Sequence, residues 1–376
     1  MKKVLLIMPA LLGGGAEKVL ADILKNLDPL KFKLTLLLEF RTGVYLSSVP
    51  NNVEIISLYG ESNIWIERFH RALGLMRLYH SFHSFIYRML FLLKLRGREF
   101  DTIVSFMEGE AVRIHSYLIH KARRNVSWVH IDFKKKHWSL DFFRNSTHEY
   151  ECYSKMDQVV FVSDDARRSF LEIYPINMDC CSVLYNLIDK NEILNLANSY
   201  DVQVPKFTIC MVGRLNQQKR YDRALEALKL LKDDGYDVKL WVLGGGELEA
   251  PLRNQAESLG ILEMCDFKGF VRPPYPYMKV ADIFLSTSEA EGYPLVLCEA
   301  LCLGLPVVAT DITGAHEILD NSKYGLLVRE DIQDIYRGLK KMIDDQSLRN
   351  LYARKALERS EIFSVKKVMT KIEAVL

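Results

Sequence analysis

The sequence predicts an α/β protein built as two Rossmann-like domains in tandem. A chain of 376 residues is too long for one ordinary hydrophobic core and divides more naturally into two domains of roughly 150 to 200 residues. Short apolar runs separated by helix-length amphipathic segments mark parallel βαβ units. The alternation begins afresh after residues 190–206, which are polar and lack strand periodicity. The expected division is an N-terminal domain over residues 1–190, a linker over 191–206, a C-terminal domain over 207–360 and a last segment over 361–376.

Val4 to Met8 opens the first domain as a strand. Gly13, Gly14 and Gly15 follow in a loop, before an amphipathic segment that runs to about Leu27. Glycines there let the backbone come close to a ligand at a helix start, and a simple turn explains them equally well. A dinucleotide fingerprint needs a further glycine three positions beyond Gly15. Lys18 stands there, so the nicotinamide reading fails. Phe32 to Leu38, Val53 to Leu58, Asp101 to Phe106, Val126 to His130 and Gln158 to Ser163 supply further strands, and Ser182 to Asp189 closes the domain. His130 stands at the carboxyl end of its strand, where ligands of open α/β sheets collect; a structural histidine fits the same place. Lys134, Lys135 and Lys136 make a local basic patch of the kind that solvated loops carry.

Between Trp65 and Arg98 the composition changes. Arg68, Arg71, Arg77, Arg88, Lys94, Arg96 and Arg98 face one acid, Glu67, among Trp, Phe, Tyr and Leu. Such interleaving describes a helix able to lie in the headgroup region of an anionic membrane, or to meet a lipid diphosphate. A domain helix with an apolar inner face and solvated cations has the same pattern.

In the second domain Thr208 to Val212, Val238 to Leu243 and Asp282 to Ser286 are strands, with helices from Tyr221 to Leu231 and Glu247 to Leu259 between them. Gly213 and Arg214 leave the first of these strands, and Lys219 follows five residues later. Two cations after a strand-end glycine can converge on one diphosphate, arginine as a bidentate fork and lysine as a point charge; surface charges have the same spacing. The stretch from Ser288 to Asp311 is a turn at Glu291-Gly292-Tyr293-Pro294, a helix from Leu295 to Leu303, a stop at Gly304-Leu305-Pro306 and an interior parallel strand from Val307 to Thr310. Pro294 suits the first helical position. The N–H groups near Leu295 and Val296 are then free for an anion such as a diphosphate. Glu291 in the turn and Glu299 in the helix flank that place, one able to face what hangs beyond the phosphate, the other able to reach hydroxyls behind it. An isolated pair would be a loop glutamate and a solvated helix glutamate. After Gly325 two helices, near Ile332 to Asp344 and Ser347 to Arg359, complete the domain.

Bulk properties exclude several classes. With 49% apolar and 26% charged residues the composition is that of an ordinary globular protein. A net charge of +2 argues against a nucleic-acid partner. Seven scattered cysteines read as reduced, mostly buried thiols of a cytoplasmic protein. No CxxC pair or histidine cluster offers a zinc site. No run of 18 uncharged apolar residues spans a bilayer, and the apolar N-terminus ends at Pro9 without a cleavage site, as a first strand does and a signal peptide does not.

Glu291, Glu299, Ala300 and Gly304-x-Pro306-Val-Val-Ala together resemble the motif of the retaining glycosyltransferases of family 4. The resemblance implies the GT-B fold, two Rossmann-like domains facing each other across a cleft, with the last segment crossing back to the first domain. It covers nearly all of the chain, strongly after residue 207 and loosely between 40 and 125. Gly14, Gly15 and Glu17 resemble the family's first loop, which approaches donor phosphate and acceptor. His130 stands where the family places a histidine against the donor sugar, here with Ile131 before Asp132. Asn186-Leu-Ile-Asp189 resembles the turn at the domain boundary. Gly213, Arg214 and Lys219 match the family's donor-phosphate residues, with Arg220 in place of the usual glycine. Gly245, in Gly244-Gly-Gly-Glu247, and Val271 fall where the family holds the nucleotide, and Gly292, Leu295 and Val296 frame the diphosphate turn. Pro274-Tyr-Pro-Tyr-Met-Lys-Val-Ala-Asp282 resembles a subgroup that builds bacterial surface glycans.

What the resemblance implies is transfer of a sugar, with retention, from a nucleotide sugar, UDP-linked in preference to GDP-linked. The acceptor is a saccharide or a polyprenyl-diphosphate-linked glycan at the inner face of the cytoplasmic membrane. Glu291 binds sugar hydroxyls, Glu299 binds ribose hydroxyls, Arg214, Lys219 and the helix start take the leaving charge, and no metal or other cofactor is required. A sugar-nucleotide epimerase or hydrolase on the same fold would turn over donor without acceptor. A noncatalytic binding subunit would have an incomplete donor site. A phosphate-binding regulator has no feature of its own in the sequence.

Overall fold

The computed structural model describes residues 1–60, 87, 89–91, 93–204 and 206–376. They divide into two compact units, Met1–Leu187 with Lys366–Leu376, and Ile188–Val365.

The first unit is laid down by the strands β1 (Lys2–Met8), β2 (Phe32–Leu38), β3 (Glu54–Ser57), β4 (Phe100–Ser105), β5 (Ala122–Val129), β6 (Gln158–Phe161) and β7 (Cys181–Val183). They form a parallel sheet in the order β3-β2-β1-β4-β5-β6-β7. The order reverses between β1 and β4, which pair from Val4 opposite Thr102 to Ile7 opposite Ser105. Val4 to Met8 are fully buried, as an interior strand covered on both faces must be. One apolar cluster gathers Leu5, Ile7, Leu37 and Ile103 under Tyr87, Phe91 and Leu95; another stacks Val129, Phe133, Phe161 and Phe170 beneath the helix Ser146–Tyr153. The helix Val365–Val375 belongs mostly to this unit: Met369, Ile372 and Val375 are buried, Lys31 pairs with Glu373 at 2.9 Å, and the Thr102 hydroxyl donates to the carbonyl of Leu376.

Most of the basic aromatic segment, residues 65–86 with 88 and 92, lies outside the described residues. In its described part, Lys94 donates to the Ser57 carbonyl and Arg98 pairs with Glu54 at 2.7 Å, so these two cations lie against the edge strand β3.

The second unit carries β8 (Thr208–Val212), β9 (Lys239–Leu243), β10 (Cys265–Gly269), β11 (Ile283–Ser286), β12 (Val307–Thr310) and β13 (Leu326–Val328), in the parallel order β10-β9-β8-β11-β12-β13. The helices Tyr221–Asp233 and Ile332–Asp344 pack on one face of this sheet through Leu225, Leu228, Ile335 and Leu339. The expected linker at 191–206 requires correction. The unit begins at Ile188, and Lys190–Leu196 is a helix capped by Asp189, whose carboxylate accepts the Glu192 N–H at 2.9 Å. A polar seven-residue helix carries too little apolar periodicity to stand out from a linker. A second correction concerns Pro294, which is the N-cap of the helix Leu295–Cys302 and not its first residue. All seven cysteines are free thiols, with Cys180 and Cys181 part-exposed and the other five buried.

Candidate active site

In the second unit the site is set by one pairing. β8 and β11 lie side by side, with Ile283 opposite Ile209, and the strand order reverses between them; the crevice beyond such carboxyl ends is where α/β sheets bind ligands. The loops that leave the two strands are laced together. The Thr287 hydroxyl donates to the carbonyls of Lys219 (3.1 Å) and Arg220 (2.8 Å), the Gln218 amide donates to the Ala290 carbonyl at 2.6 Å, and the Glu289 N–H to the Gln218 carbonyl at 3.0 Å. This lacing brings Lys219 onto Glu291: the ammonium ion-pairs with the carboxylate, which also accepts from the Ser288 hydroxyl at 3.0 Å. A recess lined by Val212, Lys219, Ser286, Thr287, Ser288 and Val296 opens beside the pair.

The helix Leu295–Cys302 starts at the same recess. Pro294 supplies no side-chain cap, and the first N–H groups of a helix have no intrahelical carbonyl to bond. Gly314 holds this turn from behind, since an added Cβ would stand 2.7 Å from both the Gly292 carbonyl oxygen and Pro294 Cδ. Within the helix Glu299 is 4% exposed and accepts the Tyr275 hydroxyl at 3.1 Å.

Other expected residues stand at different distances from this centre. Gly213 has φ 156° and its added Cβ would press on Lys219 Cε at 3.3 Å, so a side chain there would displace the lysine. Arg214 is exposed and has no side-chain partner among the described residues; Lys219 alone is drawn into the Glu291 pair. Gly245 carries the carbonyl that accepts the Leu215 N–H at 2.9 Å and has open space at Cβ. Its neighbour Gly244 is the tight one, since an added Cβ would stand 1.9 Å from the Gly213 carbonyl oxygen. Val271 lies half-buried in the loop after β10. Arg220, where the resemblance leads one to expect glycine, adopts the left-handed φ of 49°. Its guanidinium bonds Asp222 at 2.8 to 3.2 Å and Glu289 at 3.2 Å, a further tie between the two loops.

In the first unit the loops after β1 and β4 flank the other strand reversal. Gly14 is the N-cap of the helix Gly15–Asn26, and the Glu17 carboxylate turns back to accept the N–H groups of Gly13 and, at 2.7 Å, Gly14. His130 follows β5 with its ring 5.2 Å from that of Phe106. Its Nε2 is buried without a hydrogen-bond partner among the described residues, and burial lowers its pKa to about 4, which keeps the imidazole neutral at pH 7. Asp132 ties its own loop to the helix Asp164–Ile173, accepting the N–H groups of Lys134 (2.9 Å) and Lys135 (3.2 Å) and the Ser169 hydroxyl. Glu108, Tyr275 and Ser288 were not singled out in the sequence. Tyr275 and Ser288 lie inside quoted motifs, whereas nothing around Glu108 distinguishes it.

The comparisons with known proteins agree across both units. The family model described as "Glycosyltransferase Family 4" matches residues 13–192, and that described as "Glycosyl transferases group 1" matches residues 195–359. The chain belongs to glycosyltransferase family 4. A curated member, the N-acetylgalactosamine-N,N'-diacetylbacillosaminyl-diphospho-undecaprenol 4-alpha-N-acetylgalactosaminyltransferase of Campylobacter jejuni, is 33% identical over 218 residues, which is 57% of this chain and 59% of that protein. The amylovoran biosynthesis glycosyltransferase AmsK of Erwinia amylovora is 36% identical over 132 residues, 32% of each chain. The chain thus spans about six tenths of the first relative's length and a third of the second's. Among solved structures, HepE of Anabaena in complex with UDP and glucose superposes with a TM-score of 0.76 at 20% identity, covering 100% of this chain and 99% of that one. TarM of Staphylococcus aureus, in a variant with UDP bound, superposes at 0.77 and 12% identity over 100% and 99%. The fold is the family's GT-B fold.

Proposed function

We propose that this chain is a retaining glycosyltransferase that moves a hexose or N-acetylhexosamine from a UDP-sugar to a saccharide or polyprenyl-diphosphate-linked acceptor during assembly of a bacterial surface glycan. The Lys219–Glu291 ion pair at the start of the helix Leu295–Cys302 carries the reading, because it sets a cation for a diphosphate and a carboxylate for sugar hydroxyls side by side. The Campylobacter relative's name includes a diphospho-undecaprenol acceptor and the HepE structure contains UDP, which supports the choice of partners.

Under this reading the leaving diphosphate gains charge as the glycosidic bond breaks. Lys219, Arg214 and the free N–H groups at Leu295 and Val296 stabilise that charge, and no metal is needed. Glu299, oriented by Tyr275, takes the ribose. His130, neutral and with a free ring nitrogen, meets the sugar, and the acceptor hydroxyl attacks from the face the diphosphate leaves. The cations Arg68, Arg71, Arg77, Arg88 and Arg96 would hold the protein at an anionic membrane surface, each that reaches the lipid contributing about 1 kcal/mol, while Lys94 and Arg98 are engaged with β3.

The test is a thermal-stability screen of UDP- and GDP-sugars with and without EDTA. A ligand at a hundred times its dissociation constant adds about 2.7 kcal/mol to the folded state. Stabilisation by UDP-sugars that survives EDTA is expected; stabilisation by none sinks the donor reading. Salt-sensitive co-sedimentation with anionic but not neutral liposomes tests the membrane part.

A further inference from the structure

We infer that Glu108 is the positioning residue of His130: a buried carboxylate that fixes the end of β5, and so the direction in which the imidazole leaves the sheet. β4 and β5 are neighbours with Ser105 opposite Ser127, so Glu108 and His130 stand at equivalent places, each three residues beyond a paired position. Glu108 is 1% exposed. It has no ion-pair partner among the described residues. Its Oε2 accepts the backbone N–H of His130 at 2.9 Å. A buried carboxyl group without a cation is costly to keep, and what it is given in return here is a hydrogen bond to the main chain of a strand-end histidine whose Nε2 is buried and has no hydrogen-bond partner among the described residues.

The surroundings fix Glu108 in turn. Gly109 takes the left-handed φ of 72°, and an added Cβ would stand 3.1 Å from the rings of Trp138 and Phe142, so the chain turns sharply beneath two aromatic side chains directly after the carboxylate. Phe106, two residues before it, packs its ring against that of His130. The histidine is held from one side by an aromatic ring and at its main chain by Glu108, and only its Nε2 is left uncommitted. Fixing the backbone of a residue that contacts substrate is worth as much as fixing its side chain, because a misplacement of about 1 Å at a reacting group can cost on the order of 100-fold in rate.

This inference rests on the reading of His130 as a sugar-contacting residue, so the experiment separates the two. UDP release is followed with whichever of UDP-glucose, UDP-galactose, UDP-N-acetylglucosamine and UDP-N-acetylgalactosamine stabilises the protein most, water serving as acceptor. Glu108→Gln keeps an oxygen that can accept the His130 N–H and is expected to stay within about threefold of the wild-type kcat. Glu108→Asp keeps the carboxyl group but is one methylene too short, and is expected to lose roughly 10- to 100-fold in kcat with the KM for donor and the affinity for UDP unchanged. In a His130→Ala background, Glu108→Asp should cause no further loss. Full activity of Glu108→Asp, or equal losses in the Asp and Gln variants, overturns the positioning role. Full activity of His130→Ala instead overturns the reading of His130 on which it rests. Should Glu108→Asp prove unfolded by circular dichroism, the Gln variant still decides: a loss there beyond tenfold in folded protein contradicts the inference.

Discussion

At the scale of residues, the pair Lys219 and Glu291 separates two functions that share one contact. Under the proposed function Lys219→Ala removes a charge-assisted bond to phosphate and is expected to weaken UDP binding by on the order of 1.5 to 3 kcal/mol, read by calorimetric titration; unchanged affinity would make the lysine only a structural partner of Glu291. Glu291→Gln does the reverse. It releases the ammonium from its carboxylate partner, so UDP should bind as well as before or better, while turnover of the UDP-sugar falls. Tyr275→Phe tests the other carboxylate. The Tyr275 hydroxyl orients Glu299 from 3.1 Å, and its loss should cost about 0.5 to 1.5 kcal/mol of UDP affinity. Glu299→Ala should lose more, and a phenylalanine variant weaker than the alanine variant would contradict this order. The spacing of Glu291 and Glu299 was legible in the sequence because eight residues carry the chain from a turn into a helix. The partner of Glu291 was not legible: Lys219 lies 72 residues away, and only the adjacency of β8 and β11 joins them.

At the scale of elements, the site is a set of loops held by what packs behind them. Mostly apolar strands of five to seven residues were legible from composition and bounding turns, as β1, β2 and β8 are. The three-residue β13 and the helix Lys190–Leu196 are too short for periodicity to speak. Gly314 shows what that costs, since nothing in its local sequence reveals that it touches Gly292 and Pro294, the turn that opens the helix Leu295–Cys302. Gly314→Ala drives a methyl into that turn at 2.7 Å, and the strain should destabilise the protein by roughly 1 to 3 kcal/mol and shift the helix start. The expected outcome is a lowered thermal midpoint together with weaker UDP binding. A variant as stable and as tight in binding as the wild type would mean that the turn yields freely.

At the scale of the whole molecule, the first unit buries more titratable groups than its apolar strands announce. Burial, reinforced by the Glu110 carboxylate, pushes Glu39 up to about 8. The Tyr87 hydroxyl bridges these two carboxylates, 2.9 Å from Glu39 and 2.5 Å from Glu110, and Arg113 pairs with Glu110 at 2.8 Å. Burial likewise raises Glu108 to about 7 and lowers His115 and His130 to about 4. The signs then decide the pH dependence. Both carboxyls hold, when folded, a proton that the unfolded chain loses near 4.5, so their stabilisation is complete below that pH and is lost as pH rises through 7 and 8. The histidines refuse a proton that the unfolded chain takes up near 6.5, so their stabilisation is complete above that pH and is lost as pH falls through 4. Between about 4.5 and 6.5 two groups oppose two, and stability should change little; above 6.5 the histidines are silent and the carboxyls alone act. The thermal midpoint is therefore expected to fall from pH 6.5 to 8, and Glu39→Gln, whose amide oxygen still accepts from Tyr87, should remove the part of that fall between pH 7 and 8. An equal decline in the wild type and the Gln variant would show that Glu39 is already ionised in the folded protein at neutral pH.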